Sequence, residues 1–263
     1  LLLWLCMSSA CIAQDSVFPL RTAQDGRYLE DSKGLPFLIV GDSAWSLIGD
    51  TSISDTEFYL ETRKRQGFNT VLVSLIEHQF SREAPANFYG ERPFEGDAFG
   101  QPNKAYFDRA EEVIKAAARR NMLVLLCPAY SGARGGPEGW YQEMVAAGLE
   151  KLREYGRYVG QRFAKYPNII WVQGGDYDPP DRALVTAVAM GIRETDPSAL
   201  QTVHGNPDTV TNDFWRDASW LDIDSVYTYG EVAAAVLNRY RSGPRRPFFL
   251  IENAYEGENN VKE

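Results

Sequence analysis

The chain has 263 residues, of which 44% are hydrophobic and 24% are charged, and this suits one globular barrel domain of about 250 residues better than two smaller domains. Its formal net charge is −9, and its basic clusters, such as Arg245-Arg246, are short. Because phosphate groups are bound by clustered lysine and arginine, nucleic acid and an anionic membrane surface are excluded as main partners.

Residues 1–13 form an uncharged, apolar run that ends in small residues. The run is too short to cross a bilayer as a lasting helix, so no stable membrane span is predicted. It resembles the hydrophobic region of a signal peptide that is cleaved after Ala13 and lacks its basic first segment. We therefore expect a secreted or periplasmic protein. A lipid anchor attached through Cys11 is one alternative, and a buried N-terminal strand is the other.

From residue 17 to residue 263 the sequence repeats one pattern, in which an apolar run is followed by a polar or glycine-rich turn and then by a helical stretch. This alternation indicates a parallel sheet with crossover helices in a single domain. The apolar runs cover residues 36–40, 70–76, 122–127, 168–172, 200–203, 223–226 and 247–251.

Turn and helix signals separate these runs. Before the first run, Asp-Gly at residues 25–26 and Lys-Gly at residues 33–34 predict a small hairpin that closes one end of the barrel. A first helix is predicted from Ser54, because Ser54 and Glu57 have the spacing of a capping box. Further helices are predicted over residues 105–120, 142–165, 181–194 and 231–241.

The predicted fold class is α/β, a (β/α)8 TIM barrel whose eighth strand is missing, because the chain stops at Glu263 just after the seventh run. We therefore expect a chain that is truncated at its C-terminus. An open, doubly wound sheet is the alternative. The first loop has no glycine-rich phosphate signature, and every run ends in its own polar cluster. This favours a barrel, whose strand ends converge on one mouth.

Two acidic residues directly follow apolar runs, Asp176 after WVQGG and Glu252 after FFLI. They lie three strand units apart, so a closed barrel brings them to opposite sides of its mouth. Hydrolysis of a glycosidic bond needs two carboxyl groups, one that donates a proton to the leaving oxygen and one that attacks the anomeric carbon or activates water. The pair predicts a glycoside hydrolase. A separation of about 5–5.5 Å would indicate retention of configuration, and about 6.5–9.5 Å inversion.

Four other acids compete with this pair. Asp181 follows two prolines and has the position of a helix N-terminal residue, and Asp178 lies further out on the same loop. Glu256 and Glu258 lie in a polar segment that is predicted to be exposed. These positions suit capping and solvent contact better than catalysis.

Residues at the ends of the other runs are candidates for substrate contact. The Asp42 carboxylate could accept hydrogen bonds from sugar hydroxyls, with a turn residue as the alternative. The two histidines could bind sugar hydroxyls or support a carboxylate, and the aromatic side chains could stack on a sugar or pack the barrel. The candidates are Asp42, Trp45, His78, Tyr130, His204, Tyr227 and Tyr229.

No metal site and no cofactor are predicted. The first run has no His-x-His pair, and no histidine cluster completes a coordination sphere. A serine esterase is also disfavoured, because the chain has no Gly-x-Ser-x-Gly elbow.

Four stretches together resemble the apiosidase-like barrel glycoside hydrolases, a bacterial family formerly grouped as a domain of unknown function. They are GDSAW at residues 41–45, EHQFSREAPANFYGERPF at 77–94, WVQGGDYDP at 171–179 and LIENAYEG at 250–257. The resemblance extends from Phe18 to the end of the chain. It implies a retaining-type barrel with Asp176 as acid/base and Glu252 as nucleophile. It also implies apiose as a substrate, since characterised relatives remove this branched pentose from pectin.

The sequence thus predicts an exo-acting glycosidase on a plant or microbial oligo- or polysaccharide, with the long loop of residues 79–103 closing one end of the site. A glycan-binding barrel without catalysis is the first alternative, which the intact carboxylate pair disfavours. A metal-dependent barrel hydrolase is the second, and metal content and chelator sensitivity would distinguish it.

Overall fold

The computed structural model describes residues 16–255, so the segment predicted as signal peptide or lipid anchor, together with Glu256 and Glu258, lies outside the described residues. In chain order the strands are β1 (Arg21–Thr22), β2 (Leu29–Glu30), β3 (Pro36–Phe37), β4 (Gly41–Ser43), β5 (Thr70–Ser74), β6 (Phe94–Glu95), β7 (Gln101–Pro102), β8 (Leu123–Cys127), β9 (Ile169–Gly174), β10 (Gln201–His204), β11 (Asp224–Tyr227) and β12 (Phe248–Glu252). The helices are α1 (Leu47–Asp50), α2 (Ile53–Arg65), α3 (Lys104–Ala118), α4 (Tyr141–Phe163), α5 (Ala183–Thr195), α6 (Thr211–Phe214) and α7 (Val232–Arg241). In the part of the chain that is described, no helix combines the length and apolarity that crossing a membrane requires.

Seven of these strands run parallel, in the order in which they occur in the chain. β4, β5, β8, β9 and β10 form one sheet in that order, and β11 pairs with β12. β10 and β11 are joined by the Ile223 N–H, which donates to the Gln201 carbonyl at 3.1 Å. They are also joined by the Ser225 hydroxyl, which donates to the Val203 carbonyl at 2.5 Å. This is the arrangement of a (β/α) barrel, and it confirms the predicted fold class.

The outer strands of this set, β4 and β12, are not paired with each other within residues 16–255. The Tyr255 hydroxyl, just after β12, donates to Ser43 Oγ of β4 at 3.3 Å and bridges the two edges. The expected eighth strand concerns sequence beyond Glu263 and stays a prediction.

The central barrel strands β5, β8 and β9 contribute side chains to two apolar layers, which is why they appear in the sequence as continuous apolar runs. In β8, Leu123, Leu125 and Cys127 belong to the cluster inside the barrel. Val124 and Leu126 alternate with them and join the larger cluster between sheet and helices. Because both faces are covered, the strand ends are the places where polar side chains can gather.

The strands β1, β2 and β3 form an antiparallel meander, one strand more than the predicted hairpin. Phe18, Leu20 and Leu29 of this segment pack into the cluster inside the barrel. Leu20 lines a small cavity together with Leu123 and Ile169, the first residues of β8 and β9. The meander therefore closes the end at which the strands begin, as predicted, and leaves the other end open as the mouth.

Two local predictions are wrong. The first apolar run contributes its start to β3, and the barrel strand begins only at Gly41, where residues 41–43 pair with residues 70–72. Both stretches are extended, so the apolar pattern does not reveal where the chain leaves the meander. Helix α2 is capped by Ser52, whose Oγ accepts a hydrogen bond from the Asp55 N–H at 3.1 Å, and not by Ser54.

Candidate active site

The turn after β9 places Asp176 at the mouth of the barrel. Gly174 and Gly175 have φ angles of +75° and +136°, and Asp176 itself has a φ of +45°. A Cβ atom on Gly175 would lie 2.3 Å from a ring carbon of Tyr130, so only glycine lets this ring pack on the turn. An aspartate in the left-handed region costs about 1–3 kcal/mol, which the contacts around it must offset.

Tyr130 follows β8 and holds Asp176 in place. Its hydroxyl donates to Asp176 Oδ2 at 2.6 Å. Burial, followed by the charge of Asp176 and the hydrogen bond to it, raises the pKa of Tyr130, so the phenol stays protonated and acts as a donor. Asp176 Oδ1 is buried and has no hydrogen-bond partner among residues 16–255. One carboxyl oxygen is thus fixed, and the other can carry a proton or meet a ligand.

His204, at the end of β10, joins the two acids. Its side chain is fully buried. The Asp176 backbone N–H donates to Nδ1 at 3.0 Å, and since a backbone amide can only donate, Nδ1 carries no proton. The ring proton is therefore on Nε2, which donates to Glu252 Oε2 at 2.8 Å. These hydrogen bonds assign the neutral Nε2–H tautomer.

Glu252 ends β12 and is 9% exposed. Its Oε2 accepts the bond from His204, and its Oε1 accepts a hydrogen bond of 3.2 Å from the Tyr229 hydroxyl. The Tyr227 hydroxyl in turn donates to the Tyr229 hydroxyl at 3.2 Å. Burial, the bond to Tyr229 and the nearby charges of Asp176 and Glu252 raise the pKa of Tyr227, so this phenol also stays protonated. The carboxylate of Glu252 is held by donors on both of its oxygens.

The ligand-type atoms of Asp176, His204 and Glu252 all lie within 4.8 Å of one another. Trp45 covers this group, with its ring 5.6 Å from the Tyr130 ring and 5.8 Å from the His204 ring. The structure therefore brings together seven of the predicted site residues, which are Trp45, Tyr130, Asp176, His204, Tyr227, Tyr229 and Glu252.

Asp42 does not join them. In the parallel ladder it lies opposite Val71, which packs in the layer between sheet and helices. Its carboxylate accepts a hydrogen bond from the Tyr59 hydroxyl and forms an ion pair with Arg63, both on α2. Burial and the bond to Asp42 raise the pKa of Tyr59 to about 12. Asp42 therefore fastens the first barrel strand to its helix, instead of making the predicted substrate contact.

His78 also lies apart from the two acids, among residues of α4. Its Nε2 forms a hydrogen bond of 3.1 Å with Glu143 Oε1. Its ring stands edge-on to the ring of Trp140, with the centroids 4.7 Å apart. The structure thus gives His78 a place beside the carboxylate cluster, not inside it.

The competing acids near Asp176 have structural partners. Asp178 accepts hydrogen bonds from the Thr209 hydroxyl and, at 3.3 Å, from the Asn206 N–H. Asp181 accepts from the Ala183 N–H at 2.9 Å and stands at the start of α5, as predicted. Asp178 ties two loops together, and Asp181 supports a helix terminus.

Phe80 was not predicted as a site residue, yet it stands at the mouth. Its ring centroid is 6.1 Å from that of Tyr130, and the residue is 57% exposed. The sequence signal was weak, because Phe80 lies in an irregular loop after β5 where no strand register indicates its direction. In the sequence, only its position two residues after His78 indicated that Phe80 lies near the site.

The chemistry of His204 does not suit a metal ligand in this arrangement. Coordination through Nε2 would require the neutral ring to carry its proton on Nδ1, where it would face the Asp176 N–H. Coordination through Nδ1 would displace that N–H. Because both nitrogens already have partners of fixed direction, the ring suits hydrogen bonding to the Asp176 backbone and the Glu252 carboxylate better than a metal centre.

The model of the apiosidase-like catalytic domain matches residues 23–263. Among solved structures, a glycoside hydrolase family 5 protein from Bacteroides vulgatus ATCC 8482 has a TM-score of 0.76 and 24% identity, and the match covers 90% of this chain and 54% of that chain. A family 5 mannosidase from Rhizomucor miehei has a TM-score of 0.61 and 15% identity over 80% of this chain and 62% of that one. The catalytic domain of an endoglucanase from Thermobifida fusca has a TM-score of 0.57 and 13% identity over 89% and 73%.

These solved proteins share the barrel fold. The chain spans less than two thirds of the Bacteroides protein and of the mannosidase. Comparison with curated protein sequences finds no match. The family model, however, covers β2 and β3 of the meander, all seven barrel strands and both acids of the mouth. The chain therefore belongs to the apiosidase-like family, as a catalytic domain with the barrel fold of glycoside hydrolases.

Proposed function

We propose that the protein is an exo-acting glycoside hydrolase that retains anomeric configuration, with Asp176 as acid/base and Glu252 as nucleophile. The observation that carries this proposal is the approach of the two carboxyl groups, which bring an oxygen of each within 4.8 Å of the other. Retaining enzymes hold their carboxyl groups about 5–5.5 Å apart, whereas inverting enzymes need about 6.5–9.5 Å to admit a water. The separation here favours direct attack by a carboxylate.

The hydrogen bonds support this division of roles. Glu252 accepts hydrogen bonds from His204 on Oε2 and from Tyr229 on Oε1, and these two donors hold its carboxylate in one orientation for attack. Among residues 16–255, Asp176 Oδ2 accepts from Tyr130 whereas Oδ1 has no hydrogen-bond partner, so Oδ1 is the oxygen that can present a proton to the leaving oxygen. The two acids therefore stand in different surroundings, as acid and nucleophile must.

In the first step, a Glu252 carboxylate oxygen attacks the anomeric carbon while Asp176 transfers its proton to the departing glycosidic oxygen. A glycosyl ester of Glu252 forms and the leaving group departs as an alcohol. In the second step, the Asp176 carboxylate takes a proton from water, whose oxygen attacks the same carbon. The ester bond breaks and Glu252 returns to its ionised form.

The substrate belongs to the same proposal. The family is apiosidase-like, so a terminal apiose on a plant polysaccharide is the first substrate to test. Exo action is part of the proposal because the loop of residues 79–103 is long enough to close one end of the site. Secretion, with residues 1–13 as a signal peptide, fits a polysaccharide outside the cell.

Sugar release from pectin and hemicellulose fractions tests the proposal, with wild type, Asp176→Ala and Glu252→Ala compared side by side. Each variant should lose activity by roughly 10²–10⁴-fold or more, since each lacks one of the two groups that transfer a proton or form the ester. Azide distinguishes the roles. It should rescue Asp176→Ala as a glycosyl azide of retained configuration, and Glu252→Ala as one of inverted configuration.

Other outcomes would identify the error. Activity that survives either substitution would mean that the wrong acid has been chosen. Glycan binding without turnover by the wild type would instead favour a non-catalytic glycan-binding barrel. Loss of activity on treatment with a chelator, restored by a metal ion, would favour the metal-dependent alternative.

A further inference from the structure

A cavity lies at the mouth end of the barrel, on the side of α4. Its volume is about 310 Å³, and its lining includes His78, Pro85, Arg92, Phe94, Trp140 and Glu143. None of these residues has a role in the two steps described above. The cavity is built from the loop after β5 and the start of α4, both of which lie at the mouth end of the barrel.

Hydrogen bonds link the cavity lining to Asp176, the acid/base, on its side of the mouth. The Trp140 backbone N–H donates to the Tyr130 carbonyl at 2.7 Å, and the Tyr130 hydroxyl donates to Asp176. The exposed ring of Phe80 stands next to Tyr130, two residues along the chain from His78. Cavity and ring therefore lie on the Asp176 side of the mouth, whereas Glu252 has Tyr229 on its own side.

This position has a chemical consequence. The acid/base protonates the oxygen of the leaving group, so side chains on its side of the mouth contact the leaving group and not the sugar that is attacked. An exposed aromatic ring in that place offers an apolar face to a sugar ring. Phe80 is therefore suited to the first sugar of the leaving group.

The cavity has the mixed lining of a ligand site, with apolar walls and a few polar groups. His78 and Glu143 form a hydrogen-bonded pair against Trp140, and each has a second buried polar atom, Nδ1 and Oε2, without a partner among residues 16–255. Arg92 is exposed, and its guanidinium has no hydrogen bond or ion pair within the same range. Sugar hydroxyls can both donate and accept, so they match this combination of groups.

We propose that Phe80 and this cavity form a leaving-group subsite, in which a sugar ring stacks on Phe80 and its hydroxyls are bound by Arg92 and the His78–Glu143 pair. The assignment of sides rests on the proposed function, because it takes Asp176 as the acid/base. It adds that the enzyme recognises the carbohydrate that remains after cleavage, and not only the terminal sugar that it removes.

Binding measurements test the subsite without any need for turnover. Short pectic and hemicellulosic oligosaccharides are titrated calorimetrically into the inactive Glu252→Gln protein, alone and combined with Phe80→Ala or Arg92→Ala. We expect each added substitution to raise Kd roughly tenfold, which corresponds to about 1.4 kcal/mol. Phe58→Ala is the matched control, since Phe58 is a 71% exposed phenylalanine on α2 away from this cavity, and it should leave Kd unchanged.

A kinetic comparison separates the subsite from catalysis. Phe80→Ala should lower kcat/KM roughly tenfold on the oligosaccharide but not on the glycosyl fluoride of the released sugar, whose leaving group occupies no subsite. Equal losses on both substrates would overturn the proposal. So would Kd values that match those of Phe58→Ala, or a lack of binding of every oligosaccharide to the Glu252→Gln protein. Absence of sugar release by the wild type, with the calorimetric differences intact, would instead overturn the proposed function alone.

Discussion

His204 and Glu252 share a buried hydrogen bond of 2.8 Å in which the imidazole is the donor. The backbone N–H of Asp176 donates to the other ring nitrogen, Nδ1, so the ring proton is on Nε2 and the imidazole must be the donor to Glu252. A single side chain on β10 thus fixes the turn that carries one acid and orients the carboxylate of the other. The two acids belong to different strands, so their relative position depends on this bridge.

Two substitutions of His204 should separate its two contacts. Asparagine keeps an acceptor near Nδ1 for the Asp176 N–H but is too short to reach Glu252. It should lower kcat on a glycosyl fluoride roughly 10–100-fold, as expected for the loss of about 1.5–3 kcal/mol from a hydrogen bond to a charged group. Glutamine can reach Glu252 but no longer offers an acceptor to the Asp176 N–H. Its kcat should therefore fall on substrates whose leaving group must be protonated by Asp176. Equal losses of both variants on both substrates would contradict this division.

Much of the fold follows from the sequence because buried parallel strands are covered on both faces. β5, β8 and β9 therefore stand out as unbroken apolar runs, and a barrel gathers the polar residues that end them. The prediction that Asp176 and Glu252 end the fourth and seventh strands needed only this rule. The family and the class of enzyme, predicted from the same residues and four short motifs, are confirmed by the match of the family model.

The sequence was less informative where a shift of one residue in strand register decides the face of the sheet to which a side chain points. Asp42 and Ser43 are neighbours in β4, but the first faces α2 and the second faces the edge bridged by Tyr255. An error of one position at the start of the strand exchanges these roles. Phe80 could not be placed at all, because an irregular loop has no periodicity from which to infer the side to which a ring points.

The turn that carries Asp176 should not tolerate a side chain at Gly175. Gly175→Ala would place Cβ 2.3 Å from a ring carbon of Tyr130, so the ring or the turn must move and Asp176 with it. Gly148→Ala is the matched control, since Gly148 also has a positive φ, of +75°, but nothing lies within 4 Å of its added Cβ. Backbone strain should lower the free energy of unfolding of both variants by about 1–3 kcal/mol, as measured by urea denaturation. Only Gly175→Ala should also lose most of its activity, and comparable kcat values for the two variants would contradict this account.

Asp42 should matter for stability and not for catalysis. Asp42→Asn keeps an acceptor for the Tyr59 hydroxyl but removes the charge that pairs with Arg63. The ion pair is partly exposed, so the free energy of unfolding should fall by about 1 kcal/mol or less. Steady-state kinetics should be unchanged, and a selective rise in KM would return Asp42 to the list of substrate-binding residues.

The pH dependence of stability can be tested at Glu194, which links α4 to α5. Hydrogen bonds from Arg153 and then from Arg157 lower the pKa of Glu194 from its ordinary value of 4.5 to about 2. A carboxylate whose pKa is lower in the folded state stabilises the fold above its unfolded pKa, and this contribution is lost as the pH falls through the folded value. Glu194→Gln should therefore be less stable than the wild type at neutral pH, and the difference should shrink as the pH falls from 4.5 towards 2.

Urea unfolding midpoints of both proteins, measured across this pH range at low and high salt, check the expectation for Glu194. Because the group lies at the surface, added salt should also reduce the difference at neutral pH. Glu150→Gln is the control, since Glu150 is 82% exposed and lies 3.8 Å from the same Arg157, so it should show little difference at any pH. A destabilisation by Glu194→Gln that persists undiminished near pH 2 would mean that packing of the side chain between the helices, and not its charge, stabilises this contact.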